Sequence, residues 1–167
     1  MSDQRIVFTV AGDEVPTKVL APGFRVDENG NKRRTTVAEM QADVPVGATA
    51  VREITTAELP ANRNYRNAWD DSNPENFVGI NAAKAGVIAN KRRTDKRAVI
   101  FAPYEAIVEK AARGTPLKAN ENAVDAAQAM TDYKTNVDDV AQIAIAAGVL
   151  ADDWTAIEAA EVAAGLI

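Results

Sequence analysis

The 167 residues include no cysteine and no histidine. Without cysteine there are no disulfides, thiolate metal sites or thiol nucleophiles. Without histidine the commonest general base and the commonest zinc ligand are missing too. Zinc-finger, zinc-hydrolase and Ser-His-Asp chemistry are therefore excluded. Long apolar runs are also lacking. The most apolar stretch, residues 140–150, is about half the roughly 20 residues a membrane helix needs. The chain opens Met1-Ser-Asp-Gln-Arg-Ile, which leads into a mixed strand instead of the apolar core of a signal peptide. A soluble chain made in a cytoplasm, with no membrane partner, is expected. The glycines never assemble into Gly-x-Gly-x-x-Gly or a Walker loop, and no Asp-x-Asp-x-Asp-Gly calcium loop occurs. No cofactor or metal is expected.

What is present is ordinary globular material: 47% hydrophobic and 26% charged residues, with a net charge of −5. Residues 5–10 are dense in β-branched and aromatic side chains and read as a strand. Residues 14–20, 24–26 and 50–54 read as further strands, with a turn at Asp27-Glu-Asn-Gly-Asn31. Residues 35–42 read as a short helix, and Thr55-Thr-Ala-Glu58 has the form of a capping box before Pro60.

Helical spacing takes over beyond residue 76. Ile80, Ala83, Val87 and Ile88 predict a buried face, and Pro103 predicts a kink or a fresh start. Ala123, Ala126, Met130, Tyr133, Val137, Val140, Ala144 and Ala147 form a heptad seam on one helix that Gly148 is expected to end. Asp153 is a plausible cap for a last helix. The predicted fold is α+β: a β-rich, antiparallel head over residues 1–60, a connection over 61–76, and a helical hairpin or small bundle over 77–167.

Charge is unevenly shared. Residues 84–118 hold nine basic groups against three acidic, and residues 119–167 hold nine acidic against one basic. Two such segments attract each other, so Lys91-Arg-Arg-Thr-Asp-Lys-Arg97 is expected to meet the acidic helices through exposed, individually weak pairs. The alternative, contact with nucleic-acid phosphate, is disfavoured by the pI near 4.8 and by the lack of interleaved aromatics. Asp138-Asp139 and Asp152-Asp153 read as helix charge, since neighbours on a helix point about 100° apart and chelate poorly. Trp69 and Trp154 read first as packing anchors, and Trp69 is the better interface candidate.

The order of parts, with Ala-Pro-Gly, Asp-Val-Pro-x-Gly-Ala and above all Leu59-Pro-Ala-Asn-Arg-Asn-Tyr-Arg-Asn-Ala-Trp-Asp70, resembles small proteins of tailed bacteriophages and prophages. Their mark is a Leu-Pro-x-x-Arg-x-(Phe/Tyr)-Arg-x-Ala-Trp segment between a β-rich head and helices. The match covers roughly residues 5–110, and its specific part is the twelve residues ending at Asp70. The resemblance implies a non-enzymatic structural protein of the virion, in the tail or tail-fibre apparatus. It would bind other phage virion proteins or copies of itself, as a homo-oligomer or in a multi-protein assembly. The alternative is a tail-fibre assembly chaperone absent from the finished particle; a small carboxylate- and lysine-based enzyme is the least supported reading. The partner-interface candidates are Arg63, Tyr65, Arg66 and Trp69 in the head-to-helix segment, with Met130, Tyr133 and Val137 on the seam.

If no metal supports the fold, thermal unfolding with and without a chelator gives the same midpoint. A drop of several degrees with chelator would reveal a stabilising metal.

Overall fold

Alternation along Ile6, Val7 and Phe8 sends successive side chains to opposite faces of a strand, and the N-terminal layers follow from it. The computed structural model describes residues 3–13, 17–71 and 78–167, in two compact units, Met1–Asn81 and Ala82–Ile167. Small antiparallel sheets make up the first unit and a helical bundle the second, which is the predicted fold class.

In the first unit β1 (Gln4–Thr9) lies between β2 (Thr17–Leu20) and β5 (Thr49–Thr55), antiparallel to both. One face buries Ile6 and Phe8 against Met40 of α1 (Val37–Ala42). The other buries Val7 and Ile54 against Leu59, Trp69 and Val78. A hairpin of β3 (Phe24–Val26) and β4 (Lys32–Arg34) stands apart as a second sheet, and its second strand was not predicted. Helix α1 starts with a reciprocal cap: Thr36 Oγ1 accepts from the Glu39 backbone, and a Glu39 oxygen accepts from the Thr36 backbone at 2.8 Å. Arg33 grips the same carboxylate, and its guanidinium holds Glu39 well below the usual carboxylate range.

The residues read from sequence as a connection are packed into the first unit. A single helical turn at Thr56–Glu58 follows β5, as its capping box predicted. After a second turn, Arg66–Ala68, the two-residue strand β6 (Trp69–Asp70) pairs with β7 (Gly79–Ile80). The first unit thus extends to Asn81, past the boundaries drawn at 60 and 76, because Tyr65, Ala68 and Trp69 are apolar enough to be buried in it. The expected strand over 14–16 lies outside the described residues; Thr17–Leu20 is its described part.

The helical unit departs from the sequence in three ways. Helix α2 (Ala82–Ala112) runs unbroken through Pro103. The bond Pro103 cannot donate would go to the carbonyl of Val99, which lies in an exposed part of the helix where water can replace it. Its buried face is Ala82, Ala85, Gly86, Ala89 and Arg93, whereas Val87 points outward and Ile80 belongs to β7. Small residues win this face because the neighbouring helix comes close: a Cβ on Gly86 would lie 2.3 Å from Val149 Cγ2.

The second departure is in the seam. It holds through α3 (Ala123–Tyr133), with Ala126 buried and Met130, Tyr133 and Val137 half-buried. A π-helical turn at Lys134–Asp138 then inserts one residue, marked by the Asp139 N–H bonding back to Lys134 O. From its last residue on, the buried positions are Asp138 and then Ala141, Ile145 and Gly148 of α4 (Asp139–Leu150), one residue later than the heptad predicts. Val140, Ala144 and Ala147 are exposed instead.

Third, Gly148 does not end the helix. The helix runs two residues further, to Leu150, and Asp152, in the left-handed region at φ 53°, follows its cap Ala151, with Asp153 N–H bonding Gly148 O at 2.9 Å. Asp153 then caps α5 (Trp154–Ala163) as predicted, accepting from the Thr155 and Ala156 backbones. Gly148 serves the crossing of α4 and α5: an added Cβ would sit 2.7 Å from Ile157 Cγ1 and 3.1 Å from Asp153 O.

Alanine favours an isolated helix over glycine by about 1 kcal/mol, yet Gly148→Ala is expected to destabilise the protein by about 1–3 kcal/mol through overpacking. Urea unfolding of the two proteins decides it. A stabilised variant would show that the helices separate at no cost.

Candidate functional site

Pro60 and the turn at Arg66–Ala68 steer the chain so that Trp69 turns into the sheet face while Arg63 and Arg66 remain at the surface. Trp69 is 3% exposed and packs with Val7, Ile54, Leu59 and Val78. The Arg63 guanidinium lies 5.1 Å from the indole centroid and that of Arg66 5.8 Å. Each stacking is worth about 0.5–1 kcal/mol when exposed and about 2 when desolvated. Trp69 Nε1 is buried with no hydrogen-bond partner among the described residues, a costly state for an indole N–H.

Beside this stack opens a groove of about 570 Å³. Its floor is Thr17 and Val19, at every second position along β2, and Ala21 just beyond its end, with Arg5 on the adjoining strand; Arg63 and Arg66 stand on the far side. Lys18 at its rim pairs with Asp13 at 2.9 Å, and Arg5 lies 3.5 Å from Asp3. Arg63 and Arg66 have no carboxylate within ion-pair distance among the described residues. The nearby acidic groups are engaged elsewhere: Asp71 is buried against Arg52, and the Thr55 backbone N–H lowers the Glu58 carboxyl. The groove therefore combines two guanidiniums without a carboxylate partner among the described residues with a mostly apolar floor. It suits binding an anionic group, and it presents no nucleophile–base pair.

Of the seven candidates, Arg63, Arg66 and Trp69 come together here. Tyr65, four residues before Trp69, is fully buried and acts as core. Met130, Tyr133 and Val137 belong to the helical unit, where Tyr133 meets Phe101 edge-on at 6.0 Å and burial pushes its hydroxyl above the ordinary tyrosine range. Arg5 and Lys18 were missed as groove residues. Period-2 alternation could have placed Arg5 on the face of Val7, but strand order, which puts β2 at the edge, has no local signal.

The basic run in α2 is taken up within its own unit. Arg93 Nη1 donates to Asp138 Oδ1 at 2.6 Å and Arg97 Nη1 to Asp138 Oδ2 at 2.9 Å. Arg92 bridges both oxygens of Glu161 at 3.0 and 3.2 Å, and Lys96 donates to the carbonyls of Ala164 and Gly165 at the end of α5. The sequence expected such pairing, but at exposed, weak pairs. Instead Asp138, Glu161 and Arg93 are buried. Asp138 and Asp139 part ways: the π turn aims Asp138 inward as a buried anion, whereas Asp139 pairs with Lys134.

Among the described residues no three acidic side chains cluster as a metal site would require, and no helix is long and apolar enough to cross a membrane. No protein-family model matches the chain, and neither a curated protein nor a solved structure matches it.

Removing one partner of a buried pair leaves an uncompensated charge, so Asp138→Ala is expected to cost about 3–5 kcal/mol. Lys91→Ala, which breaks only the exposed pair with Asp95, should cost under about 1 kcal/mol. High salt should erase the second effect and leave most of the first. Denaturant unfolding at low and high ionic strength checks both, and equal costs would refute the burial argument.

Proposed function

We propose that the chain is a non-catalytic structural protein of a tailed bacteriophage particle, an adaptor in the tail or tail-fibre apparatus that binds other virion proteins. The observation carrying this reading is the Trp69 stack. The Leu59-to-Asp70 segment that bears the resemblance closes the core of the first unit and leaves Arg63 and Arg66 beside an open groove, without carboxylate partners among the described residues. A segment built this way is rigid behind and adhesive in front, as a docking element in a large assembly needs to be. Exposed Val140, Ile143 and Leu150 on α4 support the wider proposal that the chain works as an oligomer or within a multi-protein assembly.

Mass spectrometry of purified particles tests the reading. Stoichiometric presence of the chain is expected. Strong expression with absence from particles would replace the adaptor by an assembly chaperone.

A further inference from the structure

We propose that the groove beside β2 takes an extended, carboxylate-rich segment of a partner protein, which adds to β2 as a further strand and sets its acidic side chains on Arg63 and Arg66. This rests on the groove being the docking site of the adaptor.

The first support is topological. The three-stranded sheet has the order β2-β1-β5, so β2 is an edge. Thr17–Leu20 pair with β1 and make no other backbone hydrogen bond among the described residues. An edge strand presents unpaired N–H and C=O groups at alternate residues, and an extended peptide satisfies them by continuing the ladder.

The second support is the register of the floor. Thr17 and Val19 line the groove because every second residue of β2 faces the Trp69 side, and Ala21 just beyond the strand lines it too. A strand added about 4.8 Å beyond β2 has the same alternation. Every second side chain of the incoming segment then lies over the groove.

Charge selects what those side chains are. Arg63 and Arg66 stack on Trp69 and have no carboxylate partner among the described residues, and a guanidinium matches a carboxylate through two parallel hydrogen bonds. Lys18 at the rim and Arg5 add two further positive charges, already shared with Asp13 and Asp3. A polynucleotide fits less well. It carries no amide ladder to continue β2. The acidic part of a second copy does not fit either, because its carboxylates at 125–161 lie on helices and their caps and not on an extended strand.

The test uses the full chain, isotopically labelled, and a synthetic capped peptide of alternating Val and Glu. Nuclear magnetic resonance should show shifts at the Thr17–Leu20 amides and at the Arg63 and Arg66 side chains. The same peptide with Gln for Glu should bind at least about tenfold more weakly, as should the variant Arg63→Glu/Arg66→Glu. Lys18→Glu, which leaves the Trp69 stack intact, should weaken binding by a smaller factor and serves if the double variant does not fold. Equal affinity for the Glu and Gln peptides, or shifts confined to other elements, overturns the proposal. So does tighter binding of a single-stranded oligonucleotide in the groove. Particle content is scored in parallel. A chain present in particles whose groove ignores the acidic peptide sinks this proposal and leaves the adaptor standing. A chain absent from particles whose groove takes the peptide sinks the adaptor alone.

Discussion

Burial of Trp69 is the constraint on which the first unit turns. The indole fills the space over Val7, Ile54 and Leu59, and its own backbone begins the β6–β7 pair that brings Ile80 and Val78 to the same core. Asn81 fastens that pair, its N–H donating to Ala68 O at 2.8 Å and its amide to Asp70. Side-chain size, strand pairing and chain direction thus meet at one residue. The groove is a consequence: once the indole is drawn into the sheet, the two arginines six and three residues before it are left to cover its ring.

In the helical unit the corresponding constraint is a buried carboxylate. Asp138 has to face α2 to meet Arg93 and Arg97, and a regular α-helix continuing the α3 seam would point Val137 and Val140 there instead. One inserted residue rotates the chain by the required amount, so the π turn and the ion pairs explain each other. Such a pair adds little net stability against an apolar substitute. It does fix register, because sliding α3 and α4 by one residue along α2 would bury unpaired charge.

Much of the fold was legible because local signals and tertiary needs agreed. The β-branched and aromatic run of β1, the Asn-Gly turn at 29–30, the capping box at Thr55–Glu58 and the Asp153 cap are short-range patterns that nothing in the tertiary structure overrode. Where the sequence misled, a long-range requirement prevailed. Heptad spacing ran on to Ala147 because a one-residue insertion leaves no mark in composition. Val87 fitted a helical face as well as Ala85 did, and only the closeness of α4 at Gly86 selects the smaller set. Polar residues around Tyr65 and Trp69 looked like a connection, although the apolar ones among them are the buried ones. At the candidate groove, residue types were readable and their assembly was not: Arg63, Arg66 and Trp69 are near in sequence, whereas Arg5 and the β2 edge arrive through pairing.

The basic run of α2 and the Arg63–Arg66 pair meet opposite fates, and the difference is geometric. In α2 Arg93 and Arg97 sit one turn apart with Arg92 beside them, where the helices pack, so desolvation favours a carboxylate partner for each, and α5 and the π turn supply them. Arg63 and Arg66 sit at the surface, where water and the indole face are enough to hold a guanidinium and no internal acid is required. A buried cluster of this kind is committed to folding and cannot also recruit a partner without opening its core. A surface cluster stacked on a buried ring is held in place at little cost and keeps its hydrogen-bond donors free. Hence the smaller cluster, and not the longer run at 91–97, is the proposed recognition surface.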